Sequence, residues 1–246
     1  MTGNNNSVLL AIALAITMLL MPACDSASKH IAQGDNYIDQ SQWDNAITEY
    51  TKALELDPKL AIPYYKRGTA YNSKSSYNLA IIDFSKAIEL APNMAEAYNN
   101  RAIAYGNTGQ LKLAHVDLEI AIKLNPKLGS AYSNRGKLHI ISGLYDEAIA
   151  DLTSAVKLDP NPALAYCNRG WAYFKVEYFE SAIADFNTAI ALDPNLALAY
   201  CNRGIVNYEK KKNDLALTDF KKTLELTDDS ILRQAAEQYI KAIEGE

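Results

Sequence analysis

The chain has 246 residues, with 24 Lys and Arg against 29 Asp and Glu and a formal net charge of −5. Hydrophobic residues make up 49% and charged residues of both signs 22%, enough apolar material for a continuous core beneath a solvated surface. The balance is mildly acidic and there is no basic block, which argues against a nucleic-acid partner, because phosphate binding needs concentrated positive charge.

The first element in chain order is an apolar run. Residues 1–23 contain no Asp, Glu, Lys or Arg, and Val8 to Ala23 is an almost unbroken hydrophobic stretch of 16 residues. A membrane-spanning helix needs roughly 20, so this length fits a signal-peptide core. The run ends in Leu20-Met21-Pro22-Ala23-Cys24. A small residue followed by Cys directly after a hydrophobic core resembles the lipobox of bacterial lipoproteins. That resemblance implies a signal over 1–23, a diacylglycerol on the sulfur of Cys24 and a short linker over 24–28. It also implies a bacterial envelope location with the rest of the chain outside the inner membrane. Asp25 resembles the inner-membrane retention signal of enteric-type lipoproteins. Two departures stand against the match: Met1–Ser7 has no Lys or Arg, and Met21-Pro22 differs from the usual Leu and small residue. Ordinary secretion after cleavage near Ser26-Ala27-Ser28 and an uncleaved anchor are the alternatives.

From about Ala27 onward the chain repeats every 34 residues. Pro58, Pro92, Pro126, Pro160 and Pro194 keep this spacing, as do Arg67, Arg101, Arg135, Arg169 and Arg203, and Ala46, Ala80, Ala114, Ala148, Ala182 and Ala216. Three residue types in phase mean stacked supersecondary units, each too small to bury its own apolar face. In the fifth unit two helical patterns are visible. Tyr166, Gly170, Tyr173 and Phe174 mark one over about Ala163–Lys175. Phe179, Ala182, Ile183, Phe186, Ala189 and Ile190 mark the other over about Tyr178–Leu192. Asp193-Pro194 ends it, because proline lacks the N–H and restricts the residue before it. Gly34, Gly68, Gly136, Gly170 and Gly204, with Ala102 in the third unit, sit midway along each first helix, where a neighbouring helix must approach closely; each glycine costs about 1 kcal/mol of helix propensity. Units fall at 27–60, 61–94, 95–128, 129–162, 163–196 and 197–230. A last helix, capped by Ser230 over Ile231–Ile243 within a terminal segment 231–246, covers the open end with Ile231, Ala235, Tyr239 and Ile243, leaving Arg233, Glu237 and Lys241 in water.

The unit closely resembles the tetratricopeptide repeat. The carriers are the Ala-x-Tyr-x-x-Arg-Gly start, the Tyr near the end of the first helix, the spaced Ala-Ile run and the closing Pro. The resemblance implies an all-α fold: an α-solenoid of six helix-turn-helix units forming a right-handed superhelix, with first helices on the concave face, plus a C-terminal capping helix. It also implies a non-catalytic protein-interaction adaptor.

No catalytic set emerges. His30, His115 and His139 share no phase, and no Ser/His/Asp group, phosphate loop or metal-spaced cluster is present, so no cofactor or metal is expected. Cys167 and Cys201 are equivalent positions of neighbouring units. At about 8–10 Å between stacked helices they are too far apart for a disulfide, which needs Cα atoms within about 7 Å. The row Glu49, Asp83, Asp117, Asp151, Asp185 and Asp219 reads as a ladder of ion pairs with the Arg67 series, exposed and hence weak. The candidate binding residues are Asn100, Asn134, Asn168 and Asn202, each preceding the repeated Arg. In peptide-binding members of the resembled family, Asn at this place bonds the main chain of an extended ligand, as an amide can both donate and accept. Tyr65, Lys66, Asn99, Lys137 and Trp171 should lie nearby in the groove. The expected partner is a protein or peptide, with the membrane engaged through Cys24. The alternative is a structural or oligomerising subunit of an envelope assembly, such as a pilus, secretion or cell-wall complex, using the convex face or the ends.

Overall fold

The computed structural model describes residues 26–159 and 161–245; Cys24, Asp25 and the apolar run before them lie outside the described residues. The described residues form helices and no strand. The chain divides into two compact units, meeting in sequence at Leu124 and Asn125. The first holds α1 (26–39), α2 (Trp43–Leu56), α3 (Ala61–Ser73), α4 (Tyr77–Leu90), α5 (Ala95–Asn107) and α6 (Leu111–Leu124). The second holds α7 (Gly129–Ile141), α8 (Tyr145–Leu158), α9 (Ala163–Lys175), α10 (Phe179–Leu192), α11 (Ala197–Glu209), α12 (Asn213–Leu226) and α13 (Ser230–Glu244). Helices pair as hairpins, α3 with α4, α5 with α6, α7 with α8, α9 with α10 and α11 with α12.

Each hairpin closes on one buried ring or branched side chain from its second helix. Tyr50, Phe84, Leu118, Leu152, Phe186 and Phe220 are all buried and 34 residues apart. The glycine of the first helix makes room for it. A Cβ on Gly170 would lie 2.9 Å from the Phe186 ring and 3.1 Å from the Ala182 carbonyl oxygen. On Gly34 it would lie 2.4 Å from Tyr50. Both distances are inside van der Waals contact, which is why the helix gives up propensity here.

The turns explain themselves locally. After α2, α6, α8 and α10 an acid or amide folds back on the chain. Asp57 Oδ1 accepts from the Lys59 N–H at 2.9 Å, Asn125 from Lys127 at 3.1 Å, Asp159 from Asn161 at 2.9 Å and Asp193 from Asn195 at 3.0 Å. After each first helix the chain enters the left-handed region, at Ser41, Ser75, Gly109, Gly143, Glu177 and Lys211. The N–H of the following residue bonds five residues back, as Tyr178 N–H does to Tyr173 O at 2.9 Å. This is the Schellman stop, which favours glycine, yet only two of the six positions have it.

The repeated arginine is better buried than its sequence setting suggests. Arg169 donates from Nε to Asp185 Oδ2 at 2.7 Å and from Nη2 to Oδ1 at 2.8 Å, a bidentate pair, and the same fork recurs at Arg67–Asp83, Arg101–Asp117, Arg135–Asp151 and Arg203–Asp219. The partner aspartates are buried, Asp83 at 3% and Asp185 at 6% exposure. The expectation of exposed, weak pairs is thereby corrected: a tyrosine one turn before each arginine lies against the guanidinium, joined by a second one turn after it at Arg67, Arg101 and Arg169. The Arg169 Cζ lies 5.2 Å from the Tyr166 ring centroid and 5.8 Å from that of Tyr173. Asp185 holds the Arg169 guanidinium charged to still higher pH than usual, its hydrogen bonds outweighing desolvation. A third bond ties the hairpin to the one before, from Arg169 Nη1 to Thr153 Oγ1 at 3.2 Å and from Arg67 Nη1 to Thr51 Oγ1 at 2.9 Å. In the first hairpin Gln33 replaces the arginine, and Glu49 turns to His30 and Lys52, each at 2.6 Å.

The last helix packs through Tyr239 and Ile243 as expected, but its cap and its other contacts differ. Asp229, not Ser230, is the N-cap, its Oδ1 accepting from the Ile231 and Leu232 N–H groups at 3.0 Å. Ile231 is 76% exposed, whereas Ala236, Tyr239, Ile240 and Ile243 pack on Ala216 and Phe220. The Tyr239 ring stacks on Phe220 at 5.1 Å. Arg233 does not simply face water: its Nη1 donates to the Leu224 carbonyl at 2.7 Å and the Thr227 carbonyl at 3.1 Å, satisfying the end of α12.

Two outcomes follow for stability. Glu177→Gly relieves a left-handed backbone that L side chains disfavour, and should stabilise by about 1 kcal/mol, read as a rise in the thermal midpoint; an unchanged or lower midpoint contradicts this account of the turn. Arg169→Met strands a buried Asp185 and should destabilise by about 3 kcal/mol, while Arg169→Met with Asp185→Leu should recover much of that loss in urea unfolding.

Candidate groove on the first helices

Within each unit, successive first helices come into closer backbone contact with one another than successive second helices do: α3 with α5 in one, α7 with α9 and α9 with α11 in the other. A bilayer packed more tightly on one side curves toward that side, so the outward face of the first helices is the concave one. Exposed apolar residues mark it: Ile62 on α3, Ile141 on α7 and Leu164 on α9 are 46%, 59% and 52% exposed.

In the first unit this face is polar. Lys66 Nζ and the Tyr50 hydroxyl both donate to Asp35 Oδ1 at 2.7 Å. They border a cavity of about 260 Å³ that Ile38, Asp39 and Tyr65 also line. Burial and the Asp35 hydrogen bond raise the Tyr50 hydroxyl pKa, so it stays a donor. Asn100 Nδ2 donates to the Tyr65 hydroxyl at 3.3 Å, and its Oδ1 accepts from Asn99 Nδ2 at 3.1 Å. Asn99 itself is buried, at 5% exposure.

In the second unit the face is more apolar. Asn168 is half-buried on α9 and makes no hydrogen bond among the described residues. Asn202 is different: at 8% exposure its Nδ2 points to Cys167 Sγ, 3.7 Å away, on the preceding first helix. Asn134 is half-buried on α7 and Lys137 exposed one turn on. Trp171 is half-buried with its ring 5.2 Å from that of Phe174, and the Lys175 ammonium lies 6.0 Å from its centroid. The candidate asparagines thus divide between the units, Asn100 in the first and Asn134, Asn168 and Asn202 in the second. Leu164, Ile141 and Lys175 belong to this face too, and sequence reasoning passed over them, although Leu164 and Lys175 are seven residues before and four after Trp171 on the same helix.

Both buried cysteines are free thiols. Burial pushes Cys167 up to about 12 and Cys201 up to about 11, so both stay protonated and unreactive. The three histidines have separate surroundings, His30 beside Glu49, His115 beside Glu119 and His139 beside Asp151. Among the described residues no group of three or more His, Cys, Asp or Glu stands together as a metal site, and no helix is long and apolar enough to cross a membrane.

Family profiles described as TPR repeat match residues 34–74, 68–109, 139–176 and 178–211, and one described as tetratricopeptide repeat matches 95–128. More than half of the chain is covered, and the chain belongs to the tetratricopeptide repeat family. No curated protein matches it in sequence. Among solved structures it is similar to a chain of the APC/C hetero-tetramer Cut9–Hcn1, with a TM-score of 0.80 at 19% identity over 87% of this chain and 43% of that one. This chain therefore spans less than half the length of that protein. It is also similar to pilF of Pseudomonas aeruginosa, with a TM-score of 0.75 at 16% identity over 88% and 99%. At these identities the likeness is one of fold. YrrB, described as a TPR protein with an unusual peptide-binding site, aligns with a TM-score of 0.58 at 25% identity over 77% of this chain and 97% of its own.

Proposed function

We propose that the protein is a non-catalytic interaction adaptor that holds an extended peptide segment on the concave face of its first helices. The observation that carries this reading is Asn168, an amide on that face with no hydrogen-bond partner among the described residues, beside the half-buried Trp171. An amide so placed can serve both the N–H and the C=O of a ligand main chain. Peptide binding in the similar protein YrrB supports the reading. Asn134 is the equivalent residue one hairpin earlier, whereas Asn202 already spends its amide on Cys167.

Each amide bonded to a ligand main chain contributes about 0.5–1.5 kcal/mol. With a partner captured from detergent-solubilised membranes, Asn168→Ala should weaken binding about two- to tenfold, and Asn134→Ala with Asn168→Ala should weaken it further at unchanged melting midpoint. Lys157→Ala, on the second-helix layer, should change nothing. Undiminished affinity of the double variant removes the groove as the site.

The adaptor is tethered to a bacterial envelope membrane, facing away from the cytoplasm, through lipid on Cys24. The support is the uncharged apolar run that ends in Ala23-Cys24. One acyl chain anchors weakly at about 0.8 kcal/mol per buried CH₂, so the diacylglycerol is what makes a stable tether. Labelled palmitate should appear in the wild type and vanish in Cys24→Ser, and a mature N-terminus at any other residue contradicts the tether.

A second reading, a structural subunit of an envelope assembly, is favoured by one observation. Leu79 and Ile82 on α4, and Leu113 and Val116 at the equivalent places on α6, are 47%, 63%, 47% and 50% exposed on the second-helix layer. Ile82→Glu that abolishes partner capture while Asn134→Ala with Asn168→Ala does not would transfer the function to that face.

A further inference from the structure

The charge on the first-helix face of the second unit is lopsided. Helices α7, α9 and α11 carry a single carboxylate among them, Glu209 at the C-terminal end of α11. Their arginines are neutralised, Arg135 by Asp151, Arg169 by Asp185 and Arg203 by Asp219. Two cations remain, Lys137 on α7 and Lys175 on α9. Both are exposed, and neither forms an ion pair within the described residues. The Lys175 ammonium is held over aromatic faces instead, 5.9 Å from the Tyr145 centroid and 6.0 Å from that of Trp171. Around them the face is apolar, with Ile141 and Leu164 more than half exposed and Trp171 half-buried.

Given the reading that this face is the peptide site, we infer that it selects an extended segment in which large apolar residues alternate with Asp or Glu. The apolar side chains cover Ile141, Leu164 and Trp171. The carboxylates meet Lys137 and Lys175, the two cations of α7, α9 and α11 that form no ion pair within the described residues, while Asn168 takes the main chain. Apolar contact alone admits many sequences; the uncompensated positive charge is what excludes basic ones, since like charges brought together across an interface cost affinity. Lys175 lies against Trp171, so a carboxylate reaching it also brings its neighbouring apolar residue onto the indole.

The chain has two tryptophans, Trp43 and Trp171. In a Trp43→Phe background the emission of Trp171 therefore reports on this face alone. The probes are three acetylated peptides of about twelve residues built from Leu-Glu-Ser, Leu-Lys-Ser or Ser-Glu-Ser triplets, titrated at low salt. The Leu-Glu-Ser peptide should bind about tenfold more tightly than the Leu-Lys-Ser peptide, and more tightly than the Ser-Glu-Ser peptide, which lacks the apolar contact. Its advantage over the basic peptide should shrink as NaCl rises from about 50 to about 500 mM. Lys137→Glu with Lys175→Glu, both at exposed positions, should invert the preference at unchanged melting midpoint. Equal or tighter binding of the basic peptide, or a preference untouched by the charge reversal, overturns the acidic selectivity. If binding persists in that case and still weakens in Asn168→Ala, the groove stands and only its selectivity falls. If no peptide perturbs Trp171, the inference fails, and the groove reading is judged on its own by the asparagine variants with the captured partner.

Discussion

The structure depends on one recurring interaction, the fork between the first-helix arginine and the buried aspartate of the second helix. At Arg169 it holds together three helices: the guanidinium binds Asp185 on α10 through two nitrogens and Thr153 on α8 through the third. Tyr166 and Tyr173 close over it and exclude water. A buried ion pair is weak evidence for net stability, because desolvation offsets much of the attraction. Its larger effect is on register. A hairpin slipped by one turn would leave Asp185 buried and unpaired, so the pair penalises the wrong stack more than it stabilises the right one. The same logic explains its recurrence through hairpins whose cores otherwise differ, Phe84 and Phe186 in some and Leu118 and Leu152 in others.

Most of the fold was legible because the array writes its packing into the sequence once per hairpin. The period, the glycines facing bulky side chains, the Asp-Pro stops and the Arg–Asp spacing of 16 residues all come from contacts that repeat. What was not legible depends on three-dimensional surroundings. The aspartates are buried between the paired helices beneath the arginine, and nothing in an Asp residue announces it. The left-handed turn residue escaped notice because Ser41, Ser75, Glu177 and Lys211 carry no glycine signal. On α13, two stripes spaced by three and four fit equally well. Both share Tyr239 and Ile243; the structure takes the one through Ala236 and Ile240, with Asp229 as the cap, and leaves Ile231 exposed.

The candidate site was less legible for a related reason. The sequence presents four asparagines as equivalents, but each meets whatever the preceding first helix offers. Asn100 finds the Tyr65 hydroxyl, Asn202 finds the Cys167 thiol, and Asn168 finds no partner among the described residues. The residue one hairpin back, at the position of Tyr65, Asn99, Cys167 and Cys201, varies freely. A periodic row of amides therefore becomes an uneven set of hydrogen-bonding groups, and a partner meets a different one at each hairpin.

That unevenness indicates where specificity lies in a stack of this kind. Positions that pack must repeat, because every hairpin faces nearly the same neighbour. Positions on the open face of the first helices are released from that requirement. There the chain places Asp35 on α1, Thr69 on α3, Lys137 on α7 and Trp171 on α9 at one phase of the repeat, and Asp39 on α1 and Lys175 on α9 at another, with no residue type recurring within either set. The residues that break the repeat without damaging the core are the ones free to be shaped by a ligand. Trp171 makes the case within a single helix: its neighbours Arg169 and Gly170 recur through the array and pack, whereas a tryptophan occurs at this phase in no other hairpin. The repeat accounts for the scaffold, and the departures from it on this one face account for what the scaffold can recognise.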